Sequence, residues 1–269
     1  MTNLKNVCGA AESMSLPIFV VGATARDIIL EYIHGIRPPL ATADVDFGVV
    51  VETWEEFEHL RKKLLEDAIF EEVNKTFKFR HKTTRIPIDL IPFGGLEAPS
   101  GSLRFAKDGL ELTTAGFGEA FASSIEVHTG DGFEFKVASI PGLVLLKLIA
   151  FYDRPLERMR DIQDIWLILK RFLDIGNEDR LYNEHIDLLD EPDFDLDLAA
   201  ARLLGRDVAV LLTTKTRPIV MQTLSENDPV KGLNRMIGIV DRSENRPDDI
   251  SDRVKKVLLA FRHGLTEAG

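Results

Sequence analysis

The sequence predicts an α/β chain of the α+β kind, with a small, mixed, twisted sheet followed by a mainly helical C-terminal region. Three observations carry this. Short β-branched or alternating runs at 17–21, 45–51, 77–82 and 86–91 are interleaved with helical patterns. Thr129-Gly-Asp-Gly132 sits between two more such runs, 124–128 and 133–137, as a hairpin turn does. After Pro141 helical periodicity dominates almost to the end. The domain boundary is therefore expected near 140, giving units 1–140 and 141–269.

Each element has a local reason. Pro17-Ile-Phe-Val-Val21 is apolar enough for a buried strand, and it ends at Gly22. From Thr24 to His34, Ala25, Ile28, Ile29 and Ile33 recur at helical spacing, until Gly35 and the pair Pro38-Pro39 stop the helix. Val45 to Val51 is a second strand, and Thr53 caps a charged helix over 54–67. Phe77 to Lys82 and Ile86 to Ile91 are neighbouring strands, the second ended by Pro92, Gly94 and Gly95. An acidic stretch, Asp187 to Asp197, interrupts the helical half as a loop.

The bulk properties narrow the function. A 269-residue chain can bury a sizeable core, and 45% hydrophobic with 29% charged residues is ordinary for a folded protein. The net charge of −11 makes the surface a poor general binder of nucleic acid, so a polynucleotide needs a local basic patch. A single cysteine, Cys8, excludes an intrachain disulfide and a cysteine metal cluster. No segment approaches the roughly 18 apolar residues of a membrane-spanning helix, and the N-terminus has no signal-peptide stretch, so the chain is expected to be cytoplasmic with no membrane partner.

Thr42-Ala-Asp-Val-Asp-Phe47 is the most informative segment. Asp44 and Asp46 are two apart at the start of a strand, so both carboxylates face one side. Like charges that close repel until a cation neutralises them, and hard Mg²⁺ or Mn²⁺ prefers such oxygen ligands. A third carboxylate, Asp89, interrupts the apolar strand Ile86-Pro-Ile-Asp-Leu-Ile91. Charges are rarely placed in apolar strands without a partner. Asp44, Asp46 and Asp89 are thus the expected metal ligands, suited to a two-metal site. By itself the D-x-D also fits two solvated strand-end aspartates.

Upstream, Val20-Val-Gly-Ala-Thr-Ala-Arg-Asp27 runs strand, glycine, helix. A helix N-terminus offers free N–H groups to a phosphate, and Gly22 permits close backbone approach. The spacing matches neither a P-loop nor a dinucleotide fingerprint. Gly22, Ala23, Thr24 and Arg26 are the expected nucleotide-binding residues of this turn, Thr24 being equally suited to plain helix capping.

Taken in order, the Gly-Ala-Thr-Ala-Arg-Asp turn, Thr-Ala-Asp-Val-Asp-Phe and Ile-Asp-Leu-Ile-Pro resemble the nucleotidyltransferase superfamily that contains polymerase β. They look most like the AbiEii-type toxin nucleotidyltransferases, and the turn also resembles the head of tRNA CCA-adding enzymes. The resemblance covers roughly residues 17–170. It implies a sheet of the nucleotidyltransferase type and transfer of a nucleoside monophosphate from an NTP to a hydroxyl. It also implies an antitoxin partner. The superfamily usually has Gly-Gly or Gly-Ser at the turn, its serine holding a phosphate; here Gly22-Ala23 leaves that hydroxyl to Thr24.

The second half carries one further feature. Lys147 is the lone charge in the apolar run Val144-Leu-Leu-Lys-Leu-Ile-Ala-Phe151, where a lysine either snorkels or functions. At about 100° per residue Lys147, Arg154 and Asp161 fall within about 40° of one another, although Pro155 interrupts that alignment. The family resemblance implies that Lys147 contacts the nucleotide's phosphates and that Asp161 assists it. Asp164 is expected to form a plain surface pair with Arg160.

Lys75 to Arg85 is the one dense basic stretch, with Lys78, Arg80 and Lys82 on one strand face and Phe77, Phe79 and His81 on the other. It either guides an NTP or a polynucleotide acceptor, or protects a sheet edge by charge. The histidines show no metal spacing and are expected at surfaces or turns; Trp54 and Trp166 are expected in the core. The expected catalytic set is therefore Asp44, Asp46, Asp89, Lys147 and Asp161. The acceptor is open among a tRNA, a protein hydroxyl and a small molecule. Two other readings stand beside it: a non-catalytic nucleotide- or partner-binding relative, and a D-x-D glycosyltransferase. The latter lacks the long doubly wound domain expected before its motif.

Overall fold

The apolar run Ile18–Val21 forms strand β1, an interior strand of a seven-stranded mixed sheet. The computed structural model describes residues 2–39, 42, 44–66, 68–73, 76–98, 100–106, 109–190, 194–244 and 250–267. The described residues fall into two units, Met1–Ser139 and Ile140–Gly269.

In the first unit, helix α1 (Thr2–Glu12) precedes β1, and α2 (Gly22–Asp27) follows it directly. Next come β2 (Val45–Val51), α3 (Trp54–Glu66), β3 (Phe70–Glu72), β4 (Lys78–His81) and β5 (Pro87–Gly94). A small ribbon of β6 (Ser102–Arg104) and β7 (Glu111–Thr113) leads to α4 (Phe117–Ala122) and the hairpin β8 (Ile125–His128) and β9 (Glu134–Val137). The sheet order is β3-β4-β5-β2-β1-β9-β8, with β2–β5 and β1–β9 parallel and the other pairs antiparallel. Alternation sorts the faces: Val45, Phe47 and Val49 of β2 lie beside Ile88, Leu90 and Pro92 of β5, and all six are buried. The opposite face carries Asp46 and Asp89 at one end. Farther along it lie Phe19 and Phe93, whose rings meet edge-on at 5.8 Å, with Phe117 and Phe121 of α4 packed against Phe19.

Four sequence expectations are corrected here. Pro92 does not end β5, which runs on to Gly94. The Leu90 N–H donates to the Phe77 carbonyl, so the nitrogen of Pro92 faces the same side, beyond the end of β4, and costs no ladder bond. Ile33 is 47% exposed. The helix widens into a π-helical turn over Ile28–Ile33, and the slower rotation per residue carries Ile33 off the stripe of Ala25 and Ile29. His81 is buried rather than superficial; it packs edge-on against Phe70, and its Nδ1 accepts the Thr84 N–H at 3.1 Å. Trp54 sits at the margin of an aromatic cluster with Phe57 and Phe105 instead of inside the core. Of the basic stretch 75–85, Lys75 lies outside the described residues, as do 191–193 of the acidic stretch.

The second unit is helical: α5 (Ile140–Asp153), α6 (Met159–Arg171), α7 (Glu178–Glu184), α8 (Leu196–Leu211), α9 (Thr216–Thr223), α10 (Leu233–Glu244) and α11 (Ile250–Glu267). A glycine mid-helix costs about 0.5–1 kcal/mol relative to alanine. Gly205 of α8 and Gly264 of α11 repay it by close approach, since a Cβ on either would strike the backbone of the other helix, at the Phe261 and Arg202 carbonyls. Trp166 is buried here as expected, its indole N–H donating to Glu244 at 2.8 Å.

Candidate active site

The carboxylates are placed by strand register. Asp46 of β2 pairs side by side with Asp89 of the parallel strand β5, so both side chains rise from the same face. On the other flank of β2, Asp46 is in register with Val21, the last residue of β1. Asp44 lies just before β2 and is exposed. Asp89 is paired in turn: Lys78, its register partner on β4, donates from Nζ to Asp89 Oδ2 at 2.6 Å. Among the described residues no three carboxylate, imidazole or thiolate groups stand close enough together to enclose a metal ion as they are now arranged.

The glycine turn sits against this pair. Gly22 has φ +67°, a left-handed conformation that residues with a Cβ adopt at a cost. A Cβ on Gly22 would also collide with Oδ2 of Asp46, so the glycine leaves the volume that this carboxylate occupies.

Two hydroxyls tie the turn to the segment that enters β2. Thr24 Oγ1 donates to the Asp44 carbonyl at 2.7 Å, and Thr42 Oγ1 donates to Asp27 Oδ2 at 2.8 Å. Asp27 also accepts from Arg26 Nε at 2.8 Å. Arg26 is 3% exposed. Thr24 and Arg26 are thus engaged within the protein in this state, and what they do visibly is hold Asp44 and the chain before it. The sequence singled out both residues, but not these partners.

In the second unit, Lys147 of α5 is 5% exposed. Its Nζ donates to Asp161 at 2.9 Å and to Asp164 at 2.6 Å, both on α6. Burial alone pushes the ammonium's pKa down; the two carboxylates outweigh it and hold the pKa above the usual lysine value. The Lys147–Asp161 relationship anticipated in the sequence is present, across two helices rather than along one, because α5 ends at Asp153 and α6 starts at Met159. Asp164 corrects the surface-pair expectation: it is buried against Lys147, while Arg160 is exposed. Asp161 and Asp164 are three apart on α6, so they share a face toward Lys147.

The comparisons with known proteins come to bear on this geometry. The family described as "Nucleotidyl transferase AbiEii toxin, Type IV TA system" matches residues 22–204, well over half of the chain. That span begins at Gly22 and includes all three aspartates, Lys147 and both of its carboxylate partners. No curated protein sequence matches the chain. Solved structures similar to it include an antigenic nucleotidyltransferase-like protein from Paracoccidioides brasiliensis, at 14% identity and TM-score 0.43, covering 63% of this chain and 74% of that one. Another is the antibiotic-resistance factor ANT(2'')-Ia, at 13% identity and TM-score 0.38, covering 69% and 92%. A third is a tRNA-processing enzyme, at 15% identity and TM-score 0.26, covering 95% and 77%.

Proposed function

Since the chain belongs to the AbiEii nucleotidyltransferase toxin family, we propose that it moves a nucleoside monophosphate from an NTP to a hydroxyl acceptor, releases pyrophosphate, and works with a divalent cation held by Asp44, Asp46 and Asp89. The observation that carries this reading is the side-by-side register of Asp46 and Asp89 beneath the glycine turn.

The residues fit a cation by their chemistry. They offer only carboxylate oxygens, as Mg²⁺ or Mn²⁺ prefers. Two of them stand on adjacent strands, and the third lies at the exposed entry to β2. When bound, such a cation offsets charge on the triphosphate and lowers the pKa of the attacking hydroxyl. Asp89, on the strand flanking Asp46, is assigned to orient the acceptor hydroxyl and take its proton. Gly22 and Ala23 are assigned to bring backbone against the phosphates, Thr24 to add its hydroxyl, and Arg26 to hold the turn through Asp27. Lys147 has three N–H donors, of which Asp161 and Asp164 take two. The third is assigned to the nucleotide's phosphates, and Asp161 to orienting the ammonium.

The acceptor is proposed from charge. Lys78, Arg80 and Lys82 lie on or beside β4, Lys78 opposite Asp89, in a chain whose net charge is −11. A tRNA end suits that local patch better than it suits the remaining acidic surface. The same acidic surface suits a basic antitoxin as partner.

The test is a labelling assay with each α-labelled NTP, with and without Mg²⁺ or Mn²⁺, run beside thermal melts. Asp46→Asn is expected to abolish transfer while the protein stays folded; transfer at an unchanged rate sinks the metal-site assignment. A nucleotide bound at 100 times its Kd adds about 2.7 kcal/mol of stability. A shift seen with nucleotide-sugars alone favours a glycosyltransferase.

A further inference from the structure

A charged row crosses three adjacent strands: Lys78 of β4 is in register with Asp89 of β5, and Asp89 with Asp46 of β2. Register partners share a sheet face, so the ammonium and both carboxylates rise together. Lys78 Nζ lies 2.6 Å from Asp89 Oδ2. It thus sets one positive charge against a carboxylate oxygen of the kind that a hard cation prefers.

The ammonium is built to be removable. The Lys78 side chain is 45% exposed, whereas Asp89 is 16% exposed. The carboxylate is fixed in the sheet, while the lysine is a point charge on a flexible four-carbon stem that can swing into water. Its backbone is held independently, because Phe79 and His81 anchor β4 from the opposite face. Lys78 Nζ also stands 5.2 Å from the centre of the Phe77 ring, so leaving Asp89 gives up that cation–π contact together with the ion pair.

We propose that Lys78 is the resident counter-ion of Asp89 and is displaced when a divalent cation binds; this rests on the carboxylate cluster being the cation site. Without metal, the ammonium relieves the repulsion between Asp89 and Asp46. With metal, the same ammonium is the competitor, so Lys78 sets the cation affinity without being a ligand.

The test is Mn²⁺ titration of the whole chain, with free Mn²⁺ followed by electron paramagnetic resonance, together with melting in the absence of metal. Lys78→Met is expected to tighten Mn²⁺ binding about threefold to tenfold, from loss of an exposed ion pair and one nearby positive charge. It is also expected to lower the metal-free melting temperature and enlarge the shift on adding Mn²⁺. Lys78→Arg keeps the charge and stays near the wild-type affinity. Lys82→Met, which removes an exposed charge farther along the chain, changes affinity by less than about twofold, as screening dictates. If Lys78→Met does not fold, Lys78→Gln carries the same comparison. Wild-type binding that is lost in Asp89→Asn but unchanged in Lys78→Met, or tightened equally by Lys82→Met, overturns the role of Lys78 and leaves the cation site standing. Absence of Mn²⁺ binding to both wild type and Lys78→Met overturns the cation site and this inference with it.

Discussion

Gly22 and Asp46 share one volume: the place where a side chain on Gly22 would begin is filled by Oδ2 of Asp46. The glycine turn and the carboxylate pair are therefore one construction. Gly22→Ala is expected to cost about 1–2 kcal/mol from its left-handed backbone, readable as a lower urea midpoint. It should also push Asp46 aside and cut nucleotide transfer about a hundredfold, the order reached when a reacting group moves by ~1 Å. Full transfer by this variant refutes the coupling.

Lys147 offers a stability prediction that is independent of its proposed contact with nucleotide. Removing one partner of a buried ion pair leaves the others uncompensated, at a cost of about 3–5 kcal/mol. Lys147→Ala should approach that loss in urea unfolding, since Asp161 and Asp164 then face each other on α6. The triple variant with Asp161→Asn and Asp164→Asn should recover part of it. A loss below ~1 kcal/mol is incompatible with the buried pairing.

Cys8 is buried, and its thiol is pushed up to about 12 from 9.0, first by burial and second by the charge of Glu12. The native protein at pH 8 should react slowly with a disulfide reagent, and unfolding in urea should release one fast thiol. The raised pKa means that the native state holds its proton longer than the unfolded state. This contribution to stability is complete below pH 9.0 and is lost as the pH climbs toward about 12. Prompt native reaction at pH 8 contradicts the burial.

Asp195 caps α8, accepting the N–H groups of Asp197 at 3.0 Å and Leu198 at 3.2 Å, and it pairs with Arg253 of α11. The Arg253 hydrogen bond, above all, holds its carboxyl below the usual 3.8, against burial. A depressed pKa stabilises above the unfolded value, and the benefit fades as pH falls through the folded one. Asp195→Ala should lose about 1–2 kcal/mol at pH 7, chiefly the cap. Asp195→Asn, which can still cap, should lose less. Acid unfolding of both variants should be less steep below pH 3.8 than that of the wild type. Equal stability of all three proteins at pH 7 refutes the capping role.

Much of the site was legible because it depends on local periodicity. Asp46 falls in a β-branched run and Asp89 interrupts another, so alternation alone places both on a strand face; Asp44, expected on the same face, lies just before the strand because β2 begins only at Val45. Gly22 at a strand end and Lys147 in an apolar run are likewise local anomalies. The Thr24 bond to Asp44 and the burial of Arg26 were not legible, because a polar side chain beside a turn reads the same whether it meets a ligand or its own backbone.

By itself the sequence determined the elements, the change of texture near residue 140, and which carboxylates and which lysine are out of place among apolar neighbours. Tertiary structure alone decided the partners. Parallel pairing of β2 with β5, strands some forty residues apart in sequence, made Asp46 and Asp89 neighbours, and β4 brought Lys78 to Asp89. The turn between α5 and α6 moved Asp164 from an expected surface pair to a buried one with Lys147. The physical reason is common to all three. Spacing along a chain reports which way a side chain points, whereas the charge it meets depends on register and helix packing, which are set by burial of the apolar faces.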